Sequence, residues 1–525
     1  MIKSLKYIAL TSIVLASCNN NDDTVVPVAN SSDGKELTSG TADFSKFVSL
    51  GNSLTAGFSD NALFRDGQLG SWANILADQF KLVGGGEYKM ALTNNNVGGL
   101  LFGGTPNPRF GARVFFTGTG LGVAQGAGVT PNEVFSPALS AAGPYNNVGV
   151  PGAKSFHLLS PGYGQAANLA TGTANPYFVR FCPQGAGAKS MLDYAYDQTP
   201  TFFSLWIGNN DVLGYATAGG VTATQDPTNG SDITPVATFS FAYNTIINKM
   251  TTSAKGAVSN IPYVNSVPFF TTVPTNPIPG LPPTSAGQLN QLFGGINSAL
   301  TASGLPTRFA TLVSDDGNAA TVEANPLLLI DESLINISAQ ITAALTPAVG
   351  AGTAAYLGSI YGQARHASNA AATRDYVLLT ARSIIGTTQA GAPAPFNTVG
   401  ISYPMQDNAI LTASEITEIK TATDAYNAII KAAADSKGLA FIDANLLLRN
   451  VASFGVSDSG ITITSTFATG GGFSMDGVHP APRGYALIAN EFIKEINKTY
   501  GSNLKTVDIA KFKFLYGAVL GDGNK

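Results

Sequence analysis

The sequence predicts an α/β fold, a three-layer sandwich in which helices cover both faces of a parallel sheet. Short apolar runs alternate along the chain with longer segments of helical spacing, and this alternation is typical of parallel sheets. The run at residues 199–207 is bulky and β-favouring almost throughout, as expected of a strand buried on both faces. The chain has 525 residues, of which 44% are hydrophobic, so it can bury a large core.

The elements follow in a regular order. A first strand at residues 44–51 ends just before Ser53, and a helix is expected to follow it. We predict further strands at 144–150, 199–207 and 438–443, and a strand with a loop at 262–273. Helical spacing appears at 239–255, 412–437 and 481–500.

Three long insertions separate these elements, near residues 84–145, 213–235 and 274–410, and they are rich in Gly, Asn and Pro. Connections beyond about 12–15 residues usually carry function or structure of their own. Residues 281–345 show helical spacing, so we expect the insertions to be partly helical. The sequence therefore predicts one large domain at 44–500 that contains the insertions, followed by a C-terminal extension at 501–525.

Composition excludes several classes of function. Charged residues make up 12% of the chain and the net charge is −4, with no basic stripe of the kind that binds nucleic acid. The two cysteines, Cys18 and Cys182, form no Cys-x-x-Cys pair. We find no metal-ligand spacing, P-loop or dinucleotide fingerprint, so we predict neither a metal nor a cofactor.

The N-terminus is predicted to be a signal rather than part of the fold. Residues 1–17 carry Lys3 and Lys6 before an apolar stretch at 7–15, which is too short to cross a membrane. The stretch ends at Cys18 in a pattern that resembles a bacterial lipobox, which implies acylation of this cysteine and anchoring to the outer membrane. The alternative is a plain signal peptide with a chance cysteine. Polar residues 18–43 are predicted to be a flexible tether.

Asp22 and Asp23, directly after the lipobox, resemble the surface-export signal of Bacteroidetes-type lipoproteins. This resemblance implies exposure of the protein at the cell surface. If Cys18 is acylated, Cys182 is left without a partner and is expected to be a free thiol or a small buried group.

Four short segments carry candidate chemistry. Ser53 follows a strand at the start of a helix, where partial positive charge favours an oxyanion. Gly152 lies in a strand-to-turn junction, and Asn210 follows the strand at 199–207. Asp476 precedes His479 by three residues, so that the carboxylate can orient the imidazole as a general base. Taken singly, each has an ordinary alternative as a helix cap, turn or surface pair.

Together, in this order, the four segments resemble the blocks of the SGNH hydrolase family. The resemblance implies that Ser53 is the nucleophile, His479 the base and Asp476 its orienting acid. It also implies an oxyanion hole formed by the backbone N–H groups of Ser53 and Gly152 and the side chain of Asn210. Asn52 stands where the family has Asp, and Gly149 is a rival to Gly152. The resemblance does not extend to the insertions.

The predicted reaction is hydrolysis of a carboxylic ester, of a lipid or a small acyl group, through an acyl-enzyme. Glycan O-deacetylation or acyl transfer by the same residues is an alternative, and a non-catalytic surface lipoprotein that binds glycan or lipid is another. An α/β-hydrolase is excluded because no Gly-x-Ser-x-Gly motif follows a strand. Of the other histidines, His157 is predicted to pack on the core and His366 to be exposed. Asp211 is predicted to be a structural partner of nearby loops.

Overall fold

A five-stranded parallel sheet forms the centre of the protein in the computed structural model, which describes residues 31–118, 120–124, 132–134, 137–222, 230–318 and 320–520. The strands lie in the order β2-β1-β3-β4-β5, and every neighbouring pair is parallel. The predicted α/β class with a parallel sheet is confirmed. The strands are β1 (Phe47–Gly51), β2 (Asn147–Gly149), β3 (Phe202–Trp206), β4 (Lys255–Ser259) and β5 (Ala440–Ile442).

The strand order places three of the four candidate segments, those that follow β1, β2 and β3, at the carboxyl end of the sheet. From β1 the chain crosses to β2 on one side and then to β3 on the other, so the direction of winding reverses at β1. In the register of the sheet, Gly51 at the end of β1 is paired with Gly149 of β2 and Trp206 of β3. Ligands of open parallel sheets bind at the carboxyl ends of the strands where the winding reverses. Segments that follow these three strands therefore meet at the position expected of a binding site.

Seven helices position the sheet and the site. The longest of them is capped at both ends: the Thr412 and Glu415 side chains form a reciprocal capping box, and Gly438 ends the helix at a φ of 62°. The helices are α1 (Ser53–Ala56), α2 (Trp72–Lys81), α3 (Asn210–Thr217), α4 (Val236–Met250), α5 (Ala413–Lys437), α6 (Ala444–Ser453) and α7 (Pro482–Tyr500).

Aromatic side chains form much of the packing between helices and sheet. The Trp72 ring of α2 stacks on Phe492 of α7 at 4.2 Å and contacts Trp206 of β3 edge-on at 6.1 Å. Phe239 of α4 stacks on Tyr426 of α5 at 4.2 Å. All five side chains are buried. Such rings bury large apolar areas, and each aromatic pair contributes about 0.5–1.5 kcal/mol beyond that burial.

One strand lies earlier than the sequence predicts. Helix α4 ends at Met250 and the strand β4 occupies Lys255–Ser259, whereas the predicted strand region at 262–273 contains a turn and the short helix Pro268–Thr271. Strand β4 begins with Lys and Gly, which are unfavourable in strands. Gly256 is needed because a Cβ there would lie 2.5 Å from the Phe203 ring of β3. The low β-propensity of these first residues therefore explains why the sequence did not predict the strand at this position.

The insertions have secondary structure of their own, and their partly helical character is confirmed. In the described residues of the first, strands predominate: Leu100–Phe102, Thr105–Pro106, Val114–Phe116, Leu121–Val123 and Asn132–Glu133, with helix Pro137–Ala141. The segment at 274–410 contains helices Pro283–Ala302, Ser338–Val349 and Ala351–Tyr361 and strands Leu328–Ile330, Ala364–His366 and Tyr376–Val377.

Other short α-helices and strands lie along the described chain. They are helices Arg65–Leu69, Pro176–Val179 and Met191–Tyr196, and strands Ile410–Leu411, Val456–Asp458 and Ile461–Ile463.

The predicted signal peptide and Cys18 lie outside the described residues, as does the tether up to residue 30. From Ser31 onwards the segment predicted to be a tether packs against the scaffold: Ser32 donates its N–H to the Asn503 carbonyl at 2.7 Å, and Thr41 donates to the Tyr500 carbonyl at 2.8 Å. The C-terminal extension also folds back, because Arg113 donates to the Gly517 carbonyl at 2.7 Å. No helix in the described ranges is both long and apolar enough to cross a membrane.

Candidate active site

Ser53 lies at a tight turn where β1 meets α1. Gly51 must be glycine, because a Cβ there would lie 2.5 Å from the Trp206 carbonyl oxygen. The Asn52 side-chain oxygen caps the turn by accepting the Leu54 N–H at 3.0 Å. This turn leaves the Ser53 side chain on the wall of a cleft, with 7% of the residue exposed.

Helix α1 differs from the expectation that placed Ser53 at a helix dipole. It has only four residues and ends at Gly57, whose φ is 81°. The macrodipole sums aligned peptide dipoles over several turns, so a single turn provides little of it. Any positive potential at Ser53 must therefore come from individual N–H groups.

His479 joins two residues that the sequence singled out. Its Nε2 lies 2.9 Å from Ser53 Oγ, although 426 residues separate the two, and its Nδ1 lies 2.8 Å from Asp476 Oδ2. Gly477 makes the turn between acid and base at a φ of 72°. The Phe58 ring packs 4.7 Å from the imidazole. The three predicted residues therefore form one hydrogen-bonded chain.

The Asp476 carboxylate is fixed by five donors. Oδ1 accepts the backbone N–H groups of Val478 and His479, both at 2.8 Å, and the Ser474 hydroxyl at 3.1 Å. Oδ2 accepts the Asn61 backbone N–H at 2.9 Å in addition to the imidazole. Carboxylates held by several donors stay ionised.

The electrostatics of the pair fix the imidazole tautomer. Burial raises the pKa of Asp476, but attraction to His479 and hydrogen bonds from His479 and Val478 outweigh burial and lower this pKa to about 2. An ionised carboxylate only accepts hydrogen bonds, so Nδ1 of His479 carries its proton toward Asp476. Nε2 is then left as the acceptor that faces the Ser53 hydroxyl.

Asp60 is a buried residue beside the site that the sequence did not reveal. Its N–H donates to Ser474 Oγ at 2.9 Å, and its Oδ1 accepts the Met475 N–H at 3.0 Å. The only nearby positive charge among the described residues is Arg113, at 3.8 Å. Burial, with a further contribution from Asp476, raises the pKa of Asp60 to about 7 despite the hydrogen bond and Arg113. Asp60 thus holds the turn that presents Asp476.

Two asparagines join the ends of the strands around Ser53. Asn210, the first residue of α3, donates one Nδ2 hydrogen to the Ala153 carbonyl at 2.9 Å. An amide nitrogen has two hydrogens, and both Asn209 and Asn210 line the cleft beside Ser53. Asn52 donates to Asn209 Oδ1 at 3.0 Å. The Asn52 amide nitrogen is therefore paired with a neighbouring amide oxygen.

The structure separates the two candidate glycines. Gly149 is buried in β2; its N–H donates to Asn147 Oδ1 at 2.9 Å, and a Cβ would lie 2.4 Å from the Ala56 nitrogen. Gly149 therefore permits close packing, and its amide is already engaged. Gly152 is exposed at a φ of 83°, and its N–H has no partner in the parts of the chain that the structure describes.

An apolar cleft opens beside Ser53 and His479. It encloses about 110 Å³ between the ends of β3 and β4, helix α6 and the start of α7. The wall is almost entirely aliphatic or aromatic, with Ser53, Asn209, Asn210 and His479 as its polar side chains besides Tyr263 and Trp206. The main apolar lining residues are Leu54, Leu213, Ile261, Val264, Val267, Leu447, Leu448, Val451, Ile463, Phe473, Leu487 and Ile488.

The other two histidines lie outside the cleft; His157 is half-buried and His366 is buried. The His157 ring stacks on Tyr163 at 4.3 Å and burial, then Lys154, lowers its pKa to about 3, which fits the predicted core role. The prediction that His366 is exposed is wrong. This residue is 7% exposed, packs edge-on against Phe293 at 5.1 Å, and has a pKa lowered by burial to about 4.

Asp211 and Cys182 have the structural positions that the sequence predicted. Asp211 is buried and accepts both the N–H and the hydroxyl of Ser155, at 2.9 and 2.6 Å. Burial raises its pKa to about 6 in spite of these bonds. Cys182 is a buried free thiol.

Ser53, His479 and Asp476 thus lie in one chain of hydrogen bonds at the wall of an apolar cleft. No protein-family model, curated protein or solved structure matches this chain.

Proposed function

We propose that the protein is a serine ester hydrolase of the SGNH type, with Ser53 as nucleophile, His479 as base and Asp476 as orienting acid. The observation that carries this proposal is the contact of His479 with both partners, at 2.9 Å to Ser53 Oγ and 2.8 Å to Asp476 Oδ2. This constellation recurs in serine hydrolases on unrelated folds. The order β2-β1-β3-β4-β5 is that of flavodoxin-like three-layer folds, which supports the SGNH assignment.

The first half of the reaction forms an acyl-enzyme. Nε2 of His479 takes the Ser53 hydroxyl proton while Oγ bonds to the ester carbonyl carbon, and Asp476 stabilises the imidazolium. The tetrahedral intermediate collapses when the bond to the alcohol oxygen breaks and His479 returns the proton to that oxygen. The alcohol leaves, and the acyl group stays on Ser53.

We infer that three donors bind the oxyanion of that intermediate. They are the N–H of Ser53, the N–H of Gly152 and the second Nδ2 hydrogen of Asn210. None of the three has a partner among the described residues. Gly149 is the weaker candidate because its N–H is already bonded to Asn147. Each such donor typically contributes about 10²–10³ in rate.

Water completes the cycle. His479 deprotonates a water molecule that attacks the acyl carbon, and then returns the proton to Ser53 Oγ as the acid leaves. All proton transfers pass through Nε2.

The cleft favours an ester with an apolar acyl chain over an acetylated glycan. Its wall offers few groups to pair with sugar hydroxyls, whereas each buried methylene of an acyl chain contributes about 0.8 kcal/mol. We place the acyl chain along α6 and the carbonyl at Ser53. The proposal includes export and lipid anchoring at Cys18, which rests on the sequence pattern alone.

A panel of p-nitrophenyl esters from acetate to decanoate tests this function. The wild type should hydrolyse the longer esters, and Ser53→Ala should lose about 10³-fold or more of that rate. Ser457→Ala, an exposed serine on the Val456–Asp458 strand, is the matched control and should keep full activity.

Failure of the folded wild type to cleave any ester in the panel would refute the proposal. A fluorophosphonate reagent provides a second measurement, because it modifies only activated serines. It should label the wild type at Ser53 and leave Ser53→Ala unlabelled.

A further inference from the structure

Three carboxylates meet at a place remote in sequence from Ser53 and His479. Glu332 follows strand Leu328–Ile330, Asp407 begins a turn, and Glu415 lies in the first turn of α5. One carboxylate oxygen from each residue lies within 4.8 Å of the others. Two of the three belong to the insertion at 274–410 and the third belongs to the scaffold. We call these residues the carboxylate cluster.

Glu415 is the most buried member of the cluster, and one of its carboxylate oxygens lacks a hydrogen-bond partner among the described residues. It is 3% exposed. Its Oε2 accepts the N–H and the hydroxyl of Thr412 at 2.6 and 2.8 Å, whereas its Oε1 is buried and has no hydrogen-bond partner among the described residues. An unpaired buried carboxylate oxygen costs several kcal/mol.

Asp407 has the same deficiency, since its Oδ1 is also buried and unpartnered within the described ranges. No lysine, arginine or histidine of those ranges forms an ion pair with any member of the cluster. The basic residue beside Glu332 in the fold, Arg365, binds Asp331 and Asp375 instead, at 2.6 Å each. The negative charge of the cluster is therefore left without a protein counter-charge.

We propose that Glu332, Asp407 and Glu415 bind a divalent cation, Ca²⁺. The donors are all carboxylate oxygens, which suit hard cations, and the cluster contains no His or Cys of the kind that selects zinc. Ca²⁺ binds oxygen at about 2.3–2.6 Å, so two ligands of one ion lie up to about 5 Å apart. Mg²⁺ demands a more regular octahedron at shorter distances.

Glu332 is exposed, Asp407 is half-buried and Glu415 is buried. This gradient gives an ion a path from solvent to the innermost ligand. Water molecules at the exposed side would complete a coordination number of six to eight.

Proton sharing is the competing account of the cluster. Burial first, and then Glu332 and the neighbouring acidic groups, raise the pKa of Asp407 to about 8 and that of Glu415 to about 7. Without a cation, the cluster would therefore hold protons at neutral pH. Ca²⁺ would displace them, so the two accounts differ in whether Ca²⁺ stabilises the fold.

The position of the cluster gives the ion a structural role. Gly219 and Gly220, just after α3, let that loop approach: a Cβ on Gly219 would lie 2.4 Å from the Asp407 carbonyl oxygen, and one on Gly220 would lie 1.6 Å from Glu415 Oε1. A bound ion would therefore fix the insertion and α5 against the C-terminal end of α3.

Thermal unfolding of the whole protein tests the proposal without any substrate. At pH 7.5, 1 mM Ca²⁺ should raise the Tm by about 2–5 °C over EDTA, and Mg²⁺ should raise it less. Calorimetric titration with Ca²⁺ should give one site. Asp407→Asn, which keeps shape and removes charge, should abolish both effects, and Glu415→Gln should do the same.

A second acidic cluster, in which Asp315 and Asp316 are exposed and Glu323 is half-buried, provides the matched control. Asp315→Asn should leave the Ca²⁺-dependent Tm shift unchanged. The proposal is overturned if Ca²⁺ neither shifts the Tm of the wild type nor binds in the titration. A shift that persists in Asp407→Asn, or that disappears only in Asp315→Asn, also overturns it.

Discussion

Asn61 donates its backbone N–H to Oδ2 of Asp476 at 2.9 Å across 415 residues of sequence. Asn61 and its neighbour Asp60 adopt left-handed conformations, with φ values of 63° and 52°. Such conformations are costly for residues other than glycine and are kept where the surrounding structure requires them. Here the strained turn supplies one of the donors that fix the Asp476 carboxylate.

The proposed role of Asp476 predicts a specific defect for Asp476→Asn. An amide at this position can present its NH₂ to Nδ1 of His479 and so favour the tautomer that has no free Nε2. We expect kcat for the best p-nitrophenyl ester to fall by about 10⁴ with a small change in KM. Stopped assays of kcat and KM at pH 7.5 would measure this.

Ser474→Ala is the matched comparison, since it removes one donor to Oδ1 and leaves the carboxylate charge. We expect a loss of about tenfold or less in kcat. A loss for Asp476→Asn no greater than that for Ser474→Ala would contradict the role of Asp476.

The oxyanion assignment predicts a difference between two adjacent asparagines. Asn210→Ala should lower kcat by about 10²–10³ and change KM little, because the Nδ2 hydrogen that is not donated to the Ala153 carbonyl would bond to the developing oxyanion and not to the bound ester. Asn209→Ala removes the hydrogen bond from Asn52 and a side chain of the cleft wall, but none of the three proposed oxyanion donors, and should lower kcat less than tenfold. Steady-state kinetics of the two variants would decide, and equal losses would argue against Asn210 as the donor.

Some strands of the sheet can be predicted from the sequence and others cannot. The strand at Phe202–Trp206 was predictable because a strand buried on both faces is apolar along its whole length. Strand β4 was not, because Gly256 is dictated by the Phe203 ring on the next strand, which is a tertiary constraint. The residues around Gly256 in the sequence do not indicate which side chain of the next strand will pack against it.

The same reasoning applies to the residues around the site. The Asp-x-x-His spacing was informative because both residues belong to one turn. Asp60 and Asn61 had no such signal, since their partners Met475 and Asp476 come from the other end of the chain. His366 was misjudged for a related reason: the rings that bury it, Phe293 and Phe309, lie more than fifty residues away in the chain.

The apolar cleft predicts selectivity for acyl-chain length, which a substitution on α6 should alter. Leu448 lines the cleft, so Leu448→Trp should fill it. We expect kcat/KM for p-nitrophenyl octanoate to fall at least tenfold and that for the acetate to stay within threefold. The expectation follows from a contribution of about fourfold per buried methylene.

Leu446 provides the control on the same helix, because it is 45% exposed and lies outside the lining. Leu446→Trp should keep the wild-type ratio of octanoate to acetate hydrolysis. If Leu448→Trp leaves this ratio unchanged, the acyl chain does not occupy the cleft.

The raised pKa of Asp60 predicts how stability depends on pH. The folded-state pKa is about 7, whereas an unfolded Asp titrates near about 3.9. Between these values the folded state binds the extra proton, so the contribution to stability is fully present below about pH 4 and is lost as the pH rises to about 7. The free energy lost amounts to at most about 4 kcal/mol.

Asp60→Asn removes this titration and keeps an oxygen that can accept the Met475 N–H. The Tm of Asp60→Asn minus that of the wild type should therefore become more positive between pH 5 and pH 8. Asp211, Asp407 and Glu415 also have raised pKa values, but their effects are common to both proteins and cancel in the difference. Asp78→Asn, at an exposed position, should show no such trend. A Tm difference for Asp60→Asn that is constant with pH would mean that Asp60 is already ionised in the folded protein at pH 5, with Arg113 as its counter-charge.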